Sequence, residues 1–398
     1  MAKACPTPRP FGSVVGTVIF LTLLFFLGFV SRFIFSPLLP AIREDVSITS
    51  GQAGTLFFLG AIGGLVGSWV AGLISARLTH RGAMFISVFG AAAALIAAYF
   101  ANDVWYLRGV LIALGFFAAI QVPSSVAVIT AMVRREDWGK ALSVQQLGPP
   151  LGLVASGLFA AALLTWFSWQ TSLLWIAGLC ILLGLIFIGF RGVGYFPGEP
   201  PSPRMVGPVI RLGSFWLVLF LFALAMGAQV GVFTMLPLFL TEERGMSTGG
   251  ANTFLGLANL APLIMVFVAG WVTDHIGAKR SIATFLFVAG AATICAGSFT
   301  GAASLVSIVV VSAFAVGAFP PAFDALSNIV QPNYRSIATA ACTPVAFILG
   351  GGLLPIGLGF MGETYSFALG LQVVGAVIAV GSVIAFLLKF VDTLEEGC

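Results

Sequence analysis

The sequence predicts an all-α membrane protein in which twelve spanning helices form two pseudo-symmetric six-helix bundles. Three observations predict this: a composition without a water-soluble surface, apolar runs that recur from end to end, and a repeat that relates the two halves. Of 398 residues, 59% are apolar and 8% are charged, with 37 Phe; a soluble domain carries roughly a quarter of its residues as charges. Runs of about 18 or more apolar residues suffice as helices to cross roughly 30 Å of hydrocarbon. Such segments satisfy every backbone group internally, and they lack the period-two alternation of a barrel strand.

The spans are expected at 12–38, 51–76, 83–101, 105–132, 141–164 and 171–190, then at 213–240, 249–273, 281–300, 304–330, 338–361 and 366–389; they are numbered 1 to 12 below. Span 1 begins after a short polar, Pro-containing stretch and is followed by no small-residue cleavage pattern, so it reads as a helix and not as a removed signal peptide. With the N-terminus inside, 14 of the 18 Lys and Arg fall on the cytoplasmic side, among them Lys3, Arg77, Arg81, Arg134, Arg135, Arg191, Arg204, Lys279, Arg280 and Arg335. Arg43 and Arg244 fall outside; Arg32 and Arg108 lie within spans. This bias places both termini in the cytoplasm and the chain in the inner (plasma) membrane. The net charge of +4 reflects topology and gives no reason to invoke nucleic acid. The five Cys (Cys5, Cys180, Cys295, Cys342 and Cys398) pair across no external loop, so no disulfide is expected.

Residues 191–212, rich in Pro and Gly (Pro197, Pro200, Pro201, Pro203, Pro208), read as a cytoplasmic linker between halves 1–190 and 213–390, with 391–398 as a tail. The halves align at a nearly constant offset. Leu39-Pro40 matches Leu236-Pro237, Thr49–Gly54 matches Ser247–Asn252, Gly72 matches Gly270, and Val122-Pro123 sits like Phe319-Pro320. Duplicated membrane bundles are a signature of secondary transporters.

The loop between spans 8 and 9, Gly270-Trp-Val-Thr-Asp274-His-Ile-Gly277-Ala-Lys279-Arg280, resembles the loop motif of the major facilitator superfamily (G-x-x-x-D-x-x-G-x-K/R-K/R). Its first-half counterpart keeps Gly72, Arg77 and Arg81 but has Ala76 in place of the Asp and Thr79 in place of the second Gly. Trp169 also resembles the family at the start of span 6, although Gln170 replaces the usual Arg. With twelve spans and the 6+6 repeat, the resemblance extends over the whole chain. It implies alternating access, a cavity lined by spans 1, 4, 7 and 10, and a loop motif that latches one bundle to the other. Gly270, Asp274, Gly277, Lys279, Arg280 and Arg77 are then the candidate latch, with Asp274 expected near Arg134 and Arg135; the plainer alternative is a positive-inside anchor.

Small residues recur every four positions at Gly60, Gly64, Ser68 and Gly72, and again at Gly148, Gly152 and Ser156, as surfaces for close helix packing. Gly148-Pro149-Pro150-Leu151-Gly152 resembles the core of the family's antiporter motif, but Val144 and Leu153 depart from it, and no antiport conclusion follows.

Charges within spans are the most informative residues. Gly28, Arg32 and Ser36 form one stripe on a Phe-rich span 1, and the repeat pairs Arg32 with Gln229. A guanidinium can hold an oxyanion by two parallel hydrogen bonds; the competing reading is an Arg that snorkels outward or pairs structurally. Asp324, in Pro320-Pro321-Ala-Phe-Asp324, is expected deep in span 10. It is suited to proton coupling if enclosed in a low dielectric, or equally to gating. Pro320, Pro321 and Pro123 allow their helices to bend. Gln121, Ser124, Ser36, Gln229 and Asn259 complete the candidate substrate contacts.

The reading is a transporter and not an enzyme. His80 and His275 lie in loops, and no H-E-x-x-H or nucleotide-binding P-loop sequence occurs. No cofactor or metal is expected. The partners are a small, anionic solute, membrane lipids and, if transport is coupled, protons; the oligomeric expectation is a monomer. Symport or exchange of the anion is favoured, export of amphiphilic compounds or drugs by proton antiport is the alternative, and a channel is the reading of another class.

Overall fold

The computed structural model describes residues 8–190, 193–198, 207–331 and 334–390. Lys3, Cys5, Arg191, Pro200, Pro201, Pro203, Arg204, Cys398 and the tail 391–398 lie outside the described residues.

Among these residues, eleven continuous helices are long and apolar enough to span a membrane. One is the 50-residue Ser50–Tyr99, interrupted at Thr79 (φ 68, ψ 164), so the count is eleven or twelve according to whether that helix is taken as one or two. The interruption falls between the segments expected as spans 2 and 3.

Several spans start at polar caps. Thr49 and Gln52 form a reciprocal capping box at 3.2 and 3.0 Å. Asp103 accepts from Trp105 N at 2.7 Å and Tyr106 N at 2.9 Å. Ser168, Ser247 and Ser366 cap the helices that follow them. All five caps stand at ends the sequence places outside. Each side chain there satisfies a backbone donor that the first helical turn leaves over.

Three boundaries differ from expectation for physical reasons. Span 1 continues to Val46 instead of stopping at residue 38, because the extra turns bury Leu39 and Ile42 before Ser47 turns left-handed at φ 54. Span 7 runs to Glu243 through wider, π-helical turns at Gly227–Val232 and Phe239–Glu243. Span 10 is divided at Ala318 into Gly301–Gly317 and Phe319–Asn328, where Pro320 and Pro321 occupy the first turn of the second piece and supply no backbone donors.

The chain forms two compact units. The first takes in the described residues up to 198 together with Leu240–Leu260; the second takes in 207–239 and the residues from 261 onward. In the first unit, spans 2 and 4 approach so closely that a Cβ on Gly63 or Gly67 would strike the carbonyls of Ile112 or Phe116. The expected Gly60–Gly64–Ser68–Gly72 row shares this contact, since a Cβ on Gly115 would strike the carbonyl of Gly60. Span 5 packs on span 1 as its glycines suggest: a Cβ on Gly152 would come within 2.7 Å of Phe29 Cβ. Leu240–Leu260 belongs to this unit through the Arg43–Glu242 ion pair and a bond from Asn252 Nδ2 to Pro37 O at 2.9 Å. The second unit has a core that includes Phe222, Phe285, Leu286 and Ile378.

Candidate functional site

Arg32 stands in the last turn of Phe11–Phe33. It is half-buried and its Nη2 atom is buried. The guanidinium lies where span 2 has no side chain, with Nη2 3.1 Å from the position a Cβ on Gly64 would take. Its carbon lies 5.8 Å from the ring centre of Phe33. Phe25, Phe29 and Phe33 form a run of rings at 5.3 and 5.4 Å, so the cation sits beside an aromatic wall. A guanidinium so placed can offer an oxyanion two parallel donors. Ser36, one turn on, is buried.

Span 4 supplies a buried polar face in the same unit. Gln121 and Ser124 are each 1% exposed. Ser125 accepts a bond from Gln145 Nε2 of span 5 at 2.7 Å. Neither Nε2 nor Oε1 of Gln121 meets a hydrogen-bond partner among the described residues. Asn259, at the break in span 8, is buried and donates from Nδ2 to Leu255 O of its own helix at 3.0 Å, which fits a helix-terminating role.

In the second unit, Gln229 is half-buried within the wide turn Gly227–Val232. Asp324 is exposed, four residues before the end of Phe319–Asn328, and accepts from Asn328 Nδ2 at 3.1 Å. Asp324 thus lies within the apolar stretch Gly301–Asn328, on a face that the neighbouring helices of its unit leave uncovered.

The candidate latch residues of the second unit form an open loop. Asp274, Gly277 and Arg280 are exposed, and half-buried Lys279 holds its Nζ 4.8 Å from the Phe390 ring centre. Gly277 takes φ 80, which only a residue without Cβ adopts freely. In the first unit Arg77 is exposed.

Two contacts are not readable from the sequence. Arg81 is only 5% exposed and donates to the carbonyls of Phe187 at 2.9 Å, Ile188 at 3.0 Å and Phe190. Those carbonyls end Trp169–Gly189, whose last turn leaves acceptors unused. Asp45 accepts from Trp169 Nε1 at 3.0 Å and Gln170 Nε2 at 2.6 Å. Trp169 and Gln170 mark a family position, but their partner lies 124 residues upstream of Trp169.

Eleven or twelve apolar spans and buried polar groups within them define a multi-pass membrane transport protein. The family model described as Major Facilitator Superfamily matches residues 21–355, and the chain belongs to that family. The chain is 22% identical to the D-galactonate transporter of Escherichia coli O6:H1, over 89% of this chain and 90% of that one. It is 28% identical to the chloramphenicol resistance protein of Streptomyces lividans, over 67% of this chain and 75% of the relative. The fold is similar to the crystal structure of a bacterial homolog of the human lysosomal transporter Spinster, with a TM-score of 0.78 and 17% identity over 96% of this chain and 97% of that chain. The family is one of transporters and not of enzymes.

Proposed function

We propose that this protein is a secondary transporter of a small organic anion, working by alternating access, with Arg32 as the group that holds the anion. The observation that carries the reading is the buried Nη2 of Arg32 set against Gly64, 3.1 Å from the position a Cβ there would take. The D-galactonate transporter similarity, over about nine-tenths of both chains, supports an anionic solute. Gln121, Ser124 and Ser36 would orient the solute from the first unit; Gln229 and Asn259 are secondary candidates. Asp324 would exchange the coupled proton, and its openness suits access to water better than storage of a proton. The twelve-span count, the halves 1–190 and 213–390, cytoplasmic termini, an inner-membrane location and a monomeric state belong to this reading. Gly270, Asp274, Gly277, Lys279, Arg280 and Arg77 would serve as the latch.

Uptake into proteoliposomes tests it. Arg32→Ala should raise the half-saturating anion concentration at least tenfold, and Arg32→Lys should recover part of the loss, since a lysine restores charge without the two-pronged geometry. Normal affinity in both variants removes the anion reading. Asp324→Asn should abolish pH-driven accumulation while sparing exchange; unchanged pH dependence removes it from coupling. Saturation and counterflow distinguish a transporter from a channel.

Export of amphiphilic compounds is the second reading. The Phe25–Phe29–Phe33 run and the similarity to the chloramphenicol resistance protein favour it. It predicts drug extrusion that survives Arg32→Ala.

A further inference from the structure

Gln121 poses a problem that Arg32 does not solve. A primary amide offers two donors on nitrogen and two acceptor sites on oxygen. Its side chain is 1% exposed, and neither polar atom finds a partner among the described residues. Leaving both ends of a buried amide unmet costs about 1–3 kcal/mol for each group. A leucine or methionine would fill the same space without that cost. By contrast Ser125, one turn along the same face, pairs with Gln145. An unmatched amide beside a matched pair marks a place kept for a further group.

The position of Gln121 along span 4 says what that group accompanies. Six residues earlier, Gly115 abuts Gly60 and Gly64, and Gly64 faces the Arg32 guanidinium. Four residues later, Ser125 meets span 5 just before Gly148, which packs on Phe25 and Phe26 of span 1. At 1.5 Å per residue, Gln121 lies about 9 Å along its axis from the Gly64 contact and about 6 Å from the Ser125 contact. Along the axis of span 4 it therefore stands between the Arg32 level and the Gln145 level.

We infer that Gln121 reads a hydroxyl group on the same anion whose carboxylate Arg32 holds, so that the substrate class is the hydroxylated organic acids. The inference rests on the anion reading above and narrows it. The reason is the pairing of a free donor with a free acceptor. A bare oxyanion such as nitrate, or an unsubstituted carboxylate, only accepts; it can satisfy Nε2 but leaves Oε1 unmet. A hydroxyl donates to Oε1 and accepts from Nε2, and so satisfies both. A site built to bond a hydroxyl rejects the analogue lacking it far more strongly than an apolar pocket rejects a change in size, because the site's own polar atoms are then stranded.

Three anions decide between the possibilities: gluconate, its unhydroxylated counterpart hexanoate, and nitrate. Binding to the purified protein is read by ligand-induced thermal stabilisation, and transport by counterflow in proteoliposomes. The unmodified protein should bind gluconate at least tenfold more tightly than hexanoate or nitrate. Gln121→Met, close in size and unable to donate, should erase that preference and melt no lower than the parent without ligand. Equal binding of all three anions, lost in Arg32→Ala, leaves the anion reading standing and overturns the hydroxyl assignment. A gluconate preference that survives intact in Gln121→Met also overturns it and makes Gln121 a site for buried water. No binding of any of the three, with Arg32→Ala without effect, overturns both readings together. The comparison on the unmodified protein decides the substrate class even if the variant does not fold.

Discussion

The two loops that close spans 2–3 and 8–9 share one pattern and serve different uses. Thr79 and Gly277, 198 residues apart, share one backbone conformation, φ 68 and ψ 164 against φ 80 and ψ 159. The turn therefore needs the same shape in both halves, but only the second half supplies the residue that adopts it without strain. The cations two residues on, Arg81 and Lys279, both pack toward the end of the last span of their own half. Arg81 bonds three carbonyls and lies 4.7 Å from the ring centre of Phe187. Lys279 rests on the Phe390 ring. The first loop also takes a strap from residues 193–198: Gly198 N bonds Ser75 O at 3.0 Å, His80 N bonds Phe196 O at 3.1 Å, and Arg81 N bonds Gly194 O at 2.8 Å. The comparison teaches that a degraded motif can mark a change of use: where Asp and Gly are missing, the loop is a buried fastening, while the intact loop stays open with Asp274 exposed.

The largest effect that would break this contrast is at the two cations. Arg81→Met should lower unfolding stability by about 3 kcal/mol or more, since charge-assisted bonds are each worth about 1.5–3 kcal/mol, whereas Lys279→Met should cost less than about 1 kcal/mol. Equal losses in detergent unfolding would erase the distinction. Next come the turn residues. Gly277→Thr should cost about 1–3 kcal/mol, and Thr79→Gly should stabilise by about 1 kcal/mol through relief of strain; a melting temperature unmoved by Thr79→Gly would show the strain to be relaxed. Asp274→Ala should leave stability within about 0.5 kcal/mol, as for exposed positions, but slow uptake several-fold if the loop acts as a latch.

The smallest effect concerns His80, in the loop between spans 2 and 3. Burial holds its imidazole below the ordinary value. The neutral ring is the form the fold accepts, so its contribution is intact above the unfolded value of about 6.5 and declines as pH falls below it. Amide protection in the strap, corrected for the intrinsic pH dependence of exchange, should fall as pH drops below about 6.5, and His80→Gln should remove that dependence.

Much of this is legible in the sequence. Apolar runs mark helices because lipid permits little else, and Thr49, Asp103 and Ser168 mark starts because hydroxyls and carboxylates bond the donors of the first turn. Arg32 is legible as a charge in a span, and Gln121 as a polar residue on the same face as Ser125. Their difference in state is not, because whether an amide is satisfied depends on side chains from other spans. Arg81 reads as a topology marker; its three acceptors lie more than a hundred positions away. Asp324 is legible as a carboxylate in a span, but which neighbours leave its face uncovered is not, because that depends on helices distant in sequence.

The place of Leu240–Leu260 in the first unit bears on how the chain is made. Glu242 and Asn252 complete contacts to Arg43 and Pro37, residues synthesised some two hundred positions earlier. A ribosome that has released the chain as far as Gly189 has delivered the first five or six spans but not the segment that finishes their packing. Until span 8 emerges, the ion-pair partner of Arg43 and the amide that donates to Pro37 O do not yet exist. The first unit is therefore completed late, after the chain has already begun its second half, and a first half released alone at the linker would lack its last piece.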